Sequence, residues 1–273
     1  MRRDPIKSTA RTLEVLELFH EQRRPLRLNY IFQRLGYPQS STTTLLKSMS
    51  VLGYLNYHRP TRTYFPTPRV SALGDWVNHY VYGRGELFEM MQFIYDNTQE
   101  TVAVSSQNDI FIQHIRVIQP PKSEKIVIPE GSMRVLTHSC AGLALMSRMD
   151  AKMVDKLCRH INVYVQDKTL AMDLAALEQQ LNFIRAEGYS YLAAFPFPDA
   201  SGVAMTLPQT PHGIPLTIGV GGLNSNIARQ RTHILATMRA AIQTYHRTLL
   251  ANADARAEGY GEPPEEADPR QLH

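Results

Sequence analysis

Near the start of the chain, apolar residues recur three or four positions apart in three successive stretches, the spacing that lines one face of an α-helix. In the first, Leu13, Leu16 and Phe19, joined by Val15 and Leu18, form the apolar face, with Ser8 as its expected cap. In the second, Leu28, Ile31, Phe32 and Leu35 predict a short helix closed by Gly36. In the third, Pro38 fits the first helical position, and Thr42, Leu45, Leu46, Met49 and Leu52 share one side until Gly53 stops it. The stretch YLNYHRPTRTYFPTP then alternates apolar and polar residues around a turn at Pro60, which predicts a two-stranded hairpin. Helix, helix, short turn, helix, hairpin is the order of a winged helix-turn-helix.

Beyond it the pattern changes. Val70 to about Gln99 reads as mostly helical with a break at Gly83 to Gly85. TVAVSSQ and DIFIQHIRVI read as strands joined at Asn108-Asp109, and KIVIP as a further strand. Helices follow around SCAGLALMSRM, over Asp150 to His160 and over Asp173 to Glu187. YSYLAAF, GVAMTLP and IPLTIGVGG supply more strands, and Ala228 to Leu250 a closing helix. Antiparallel strands with intervening helices predict an α+β sensor-like domain. The boundaries are a winged-helix domain over 1–69, a linker helix over 70–84, an effector-type domain over 85–250 and a disordered tail over 251–273.

Charge sharpens this division. The chain of 273 residues carries +4 overall, but residues 1–70 hold 12 of the Lys and Arg and 4 of the Asp and Glu, leaving 17 basic and 21 acidic residues for the remainder. A small basic module joined to a mildly acidic one suggests one part that meets a polyanion and one that does not. Cys140 and Cys158 have no metal-ligand or CxxC spacing, so neither a metal nor a cofactor is expected. No apolar run approaches a membrane span, and the first residues lack a signal-peptide pattern; the expectation is a cytoplasmic protein with no membrane partner.

On a helical wheel, Ser40, Thr43, Thr44 and Lys47 point away from Thr42, Leu45, Met49 and Leu52, with Ser41 at the margin. Short polar side chains let a helix sit deep in a major groove, where Ser and Thr meet base edges or phosphates and Gln39 pairs with adenine. Arg59 and Arg62 at the hairpin tip, and Arg24 and Arg27 between the first helices, are candidate backbone contacts. A solvated polar face with ordinary surface arginines is the competing reading.

The residues resemble the IclR family of bacterial transcription regulators over nearly the whole chain. KSTARTLEVLELF looks like the family's opening helix, and GYPQSSTTTLLKSMSVLGYL like its recognition helix and following strand; YFPTPRVSALGDWV looks like its run into the linker. ETVAVSSQNDIFIQHI, THSCAGLAL, IRAEGYSYL and GVAMTLP follow in the expected order. The resemblance implies a winged helix-turn-helix, a GAF-like (profilin-like) α/β effector-binding domain, a homodimer or homotetramer, and a pseudo-palindromic promoter operator as partner. Where relatives often carry an arginine on the recognition helix, this chain has Thr44, so operator preference is expected to differ.

The resemblance also implies a small-molecule effector with a carboxylate held by backbone N–H groups at Cys140 and Ala141, beside Thr137 and His138. The family's side-chain ligands fall at Leu192, Gly202, Gly219 and Gly221, which offer space and apolar surface. With Tyr189, Tyr191, Phe195, Phe197 and Met205 close in sequence, the expected effector is larger, partly apolar or aromatic. His138 and Cys140 in THSCAG raise an enzymatic alternative, but no orienting acid, GxSxG, HExxH or P-loop accompanies them, so no catalysis is expected. A ligand sensor whose winged helix binds protein is the other alternative.

Overall fold

The computed structural model describes residues 6–74, 85–121, 127–165, 171–193, 198–208 and 214–259, with side chains of the last stretch described to Ala251. The chain divides into two compact units, Met1–Tyr80 and Val81–His273.

The first unit contains α1 (Lys7–Gln22), β1 (Leu26–Arg27), α2 (Leu28–Leu35), α3 (Gln39–Val51), β2 (Leu55–His58) and β3 (Thr63–Pro66), with residues 68–74 again helical. Val15, Leu18, Phe19, Leu26, Ile31, Leu46, Met49, Leu55 and Tyr64 form its core. Complete burial of a side chain such as Ile31 or Leu46 contributes about 1.5–3 kcal/mol relative to exposure. Gly36 ends α2 at φ 68°, a left-handed conformation that suits glycine.

Several local expectations are corrected. Ile6, not Ser8, flanks α1; Ser8 lies inside the first turn, and its carbonyl accepts from Thr12 Oγ1 at 2.9 Å. Pro38 is the extended residue before α3 rather than its first helical residue. Leu13 and Leu52 are 56% and 59% exposed: α3 ends at Val51, before the wheel brings Leu52 back to the core. The wing is three-stranded in the order β1-β3-β2, because Leu26 and Arg27 pair with Tyr64 and Thr63. A two-residue strand is too short to leave a periodic signature.

The second unit is built on a six-stranded antiparallel sheet of order β6-β5-β4-β9-β8-β7, comprising β4 (Thr101–Asn108), β5 (Phe111–Ile118), β6 (Met133–Val135), β7 (Ser190–Ala193), β8 (Ala200–Thr206) and β9 (Leu216–Leu223). One face carries α4 (Glu86–Thr98) and α8 (Asn224–Gly259) over a core including Val102, Val104, Val203, Met205, Ile218 and Val220. The other packs α5 (Cys140–Met146), α6 (Ala151–Tyr164) and α7 (Leu174–Glu187) through Ile112, Leu143, Leu157 and Leu181. Asp150 and Asp173 cap α6 and α7, accepting from Met153 N at 2.7 Å and Ala176 N at 3.0 Å.

Of the strand expected over KIVIP, residues 127–129 are described and are not strand; Gln119 instead bonds both the amide and the carbonyl of Ile128. The strand beside β5 is β6, reached after Gly131 turns at φ 80°. Helix α8 continues to Gly259, so the tail expected from residue 251 begins as helix; residues 260–273 lie outside the described ones, as do 75–84 of the expected linker. Among the described residues no helix is long and apolar enough to cross a membrane.

Candidate functional site

Gln39, Ser40, Thr44 and Lys47 are exposed on α3, while Ser41 and Thr43 are half-buried. Each of the next three hydroxyls after Ser40 that face outward or sideways donates back along the helix: Ser41 to Pro38 O at 3.0 Å, Thr43 to Gln39 O at 2.8 Å and Thr44 to Ser40 O at 3.2 Å. A hydroxyl whose proton is engaged keeps its lone pairs. This face therefore presents acceptors, matched to the amino groups of adenine and cytosine in a major groove.

No side chain caps the start of α3, and its first closing bond runs from Thr42 N to Pro38 O. The amides of Gln39, Ser40 and Ser41 are thus left without an intrahelical acceptor, an arrangement that suits a phosphate. Ser48 and Val51, the latter 87% exposed, continue the same face; extending the wheel by one turn would have found them.

Arg59 and Arg62 are exposed on the four-residue turn of the wing, with Arg62 at φ 54°. His58 Nδ1, Thr61 Oγ1 and Thr63 Oγ1 are linked at 2.8 and 2.7 Å, bracing that turn. Arg27 sits opposite Thr63, next to the wing's turn, and Arg24 stacks over the Tyr30 ring at 4.9 Å. All the candidate DNA-contacting residues thus belong to the basic first unit.

In the second unit, a cavity of about 110 Å³ opens on the α5 side of the sheet. Strand alternation makes its floor: Ala103 on β4 pairs with Gly219 on β9, and Gly221 pairs with Gly202 on β8. His138, Cys140, Ala141 and Leu192 also line it, so seven of the expected effector residues converge. The glycines are not equivalent. A Cβ on Gly202 would stand 2.8 Å from Cys140 Sγ, so that space is occupied by the thiol, whereas one on Gly221 would meet only Ser201 O at 3.6 Å.

Thr137, Tyr189 and Met205 do not line the cavity. Thr137 is buried in a 3-10 turn, Leu136–His138, and Met205 faces the opposite core because it is one residue out of phase with Ala204. Tyr189 packs on that same opposite core and edge-on to Phe183, and Tyr191 lies beneath Arg231 at 5.0 Å. Among the described residues no phenylalanine, tyrosine or tryptophan ring lines the cavity; Phe195 and Phe197 fall outside them.

The polar part of the lining was missed instead. Thr101, Ser105, His114, Arg134 and Ser139 all reach the cavity, and His114 Nδ1 lies 2.8 Å from Ser105 Oγ. Burial, reinforced by the Arg134 charge, lowers the His114 pKa to about 4, so the ring is neutral at pH 7. Burial pushes the Cys140 thiol up to about 11 despite the Ala141 amide pulling the other way. A protonated thiol is a poor nucleophile.

The His114 shift has a measurable consequence. Unfolded, the ring titrates near 6.5; folded, near 4. Between these values only the unfolded chain takes up the proton, so the contribution is complete above the unfolded pKa and is lost as pH falls, by up to about 3 kcal/mol. In denaturant melts, the stability margin of the protein over His114→Gln is expected to shrink from pH 7 to pH 4. An equal loss in both proteins would contradict the assignment.

Comparison with known proteins extends this geometry. Residues 8–59 match the family pattern described as the IclR helix-turn-helix domain, and residues 86–246 that described as the bacterial transcriptional regulator IclR C-terminal. The chain is 23% identical over 200 residues to the transcriptional repressor IclR of Escherichia coli K12, covering 68% of this chain and 69% of that protein. It resembles the Thermotoga maritima IclR crystal structure with a TM-score of 0.70 at 14% identity, over 89% of this chain and 98% of that one. The effector domain of a transcriptional regulator IclR from Acinetobacter sp. ADP1 aligns at 28% identity and TM-score 0.55, over 59% of this chain and 94% of that one.

Proposed function

This chain belongs to the IclR family of transcriptional regulators, and on that premise we propose that its winged helix reads a pseudo-palindromic promoter operator as part of a homodimer or homotetramer, under control of a small organic acid bound in the second unit. The observation that carries the DNA reading is the acceptor-rich, low-profile face of α3 beside the arginines of the wing, within a basic module. Helix α3 enters the major groove, and Lys47, Arg59 and Arg62 neutralise phosphates.

For the effector, a floor formed by Ala103, Gly202, Gly219 and Gly221 is nearly free of side chains, which suits a flat body lying on peptide planes. A cavity of about 150 Å³ holds benzene, so the roughly 110 Å³ here sets the scale at one ring or a short chain. Val127, Ile128 and Leu192 give the site apolar walls, and the N–H groups of Cys140 and Ala141 are candidate partners for a carboxylate. The aromatic character of the ligand thus rests on the flat floor and no longer on an aromatic wall. Effector binding biases the spacing of the paired winged helices, and with it operator affinity.

Selection of bound sequences from a random duplex pool tests the recognition face. Gln39→Ala and Thr44→Ala are each expected to relax preference at one base position by about 1–3 kcal/mol, with the salt dependence of binding unchanged. An unaltered preference in both variants would remove this face of α3 from sequence reading.

A further inference from the structure

The cavity has a charged corner on the opposite side from Cys140. Arg134 on β6, His114 on β5 and Ser105 on β4 meet there, positioned by the pairing of Ser105 with His114 and of Gln113 with Met133. Among the described residues no carboxylate pairs with Arg134; its guanidinium reaches only the Met133 carbonyl, at 3.3 Å. Neighbouring Arg116, by contrast, is met by Glu130 at 3.5 Å. Neutral His114 adds a hydrogen-bonding ring without a second charge. A guanidinium on a cavity wall that also carries apolar surface is suited to a planar anionic oxygen group from a ligand.

The floor sets the distance. Cys140 stands over Gly202 on β8, while His114 is on β5, and the strand order between them is β5-β4-β9-β8. Three steps of about 4.8 Å separate these strands by about 14 Å, and the register offsets the two ends further, because Gly202 aligns through Gly221 with Thr101 of β4 whereas His114 aligns with Ser105. One carboxylate does not serve both ends.

We propose that the effector is a two-ended organic acid, a flat or extended body with an anionic oxygen group at each end, the one remote from Cys140 held by Arg134 and His114. This rests on the carboxylate-binding reading of the pocket given above. Ser105 fixes the His114 ring, its hydroxyl donating to Nδ1 so that Nε2–H donates to the ligand. Arg134 and His114 thereby distinguish diacids from monoacids of the same shape.

Calorimetric titration of the full chain with two matched pairs tests this: benzoate against benzene-1,4-dicarboxylate, and hexanoate against hexanedioate. In at least one pair the diacid is expected to bind about ten- to a hundredfold more tightly. Arg134→Gln should erase that advantage while changing monoacid affinity by less than about twofold. His114→Gln should reduce the advantage in the same selective way, and it carries the test should Arg134→Gln not fold. Equal binding of monoacid and diacid in both pairs, or an equal loss of both on substitution, would overturn the proposal while leaving a carboxylate pocket in place. Failure of every acid to bind would overturn the pocket reading itself.

Discussion

Replacing Lys47, Arg59 and Arg62 together by alanine is expected to weaken binding to every duplex by about a hundredfold near physiological salt. The same change should reduce the slope of log affinity against log salt by about three. All three side chains are exposed, and among the described residues none forms an ion pair. Their loss should leave stability within about 0.5 kcal/mol, so weakened binding would not reflect a damaged fold. Because phosphate contacts carry no sequence information, the order of preference among duplexes should survive. The check is a set of titrations at several salt concentrations with operator and scrambled duplexes. An unchanged slope would place these cations away from DNA.

Gly221→Leu is expected to abolish the response to the effector while leaving operator affinity and its salt dependence intact. The reasoning depends on which glycine is used. At Gly219 a Cβ would come within 3.3 Å of the Val203 carbonyl, and at Gly202 within 2.8 Å of Cys140 Sγ, so larger residues there disturb the sheet or α5. At Gly221 the first carbon makes ordinary contact with Ser201 O at 3.6 Å, and the remaining atoms enter the cavity. A leucine there occupies a large part of a space of about 110 Å³. Ligand-induced shifts in melting temperature should vanish, whereas the shift on adding operator should persist. A variant that still responds to the acid would show that the ligand binds elsewhere.

The first unit was largely legible because its helices are amphipathic and its turns use strongly biased residues. Leu28, Ile31 and Leu35 with Gly36 define α2 and its end, and the alternation around Pro60 defines the wing. What escaped was either short or a matter of one turn of phase: the two-residue β1, the exposed Leu13 and Leu52, and the continuation of the α3 face to Ser48 and Val51. The back-bonding of Thr43 and Thr44, which turns nominal donors into acceptors, depends on rotamers that no residue pattern reports.

The pocket was harder, because its residues come together only through strand pairing. Gly202, Gly219 and Gly221 were found through the family resemblance, and the register then paired Gly202 with Gly221 and Ala204 with Gly219. Tyr189 and Met205 lie close in sequence to pocket residues but pack on the other core, Met205 because adjacent residues of a strand face opposite sides. Arg134 and His114 are 20 positions apart and occupy neighbouring strands, one of them three residues long. Nothing in local periodicity joins them.

The central claim is that one chain couples sequence-selective DNA binding to occupancy of this cavity. Its most direct test is a titration of the full chain against its selected operator and a scrambled duplex, each with and without an acid shown by melting shift to bind. The expected result is tighter, salt-sensitive binding to the operator, an operator affinity that changes by about 5- to 150-fold when the acid is added, and loss of that change in Gly221→Leu. Operator affinity that stays the same at saturating acid, or the same response in Gly221→Leu, would contradict it.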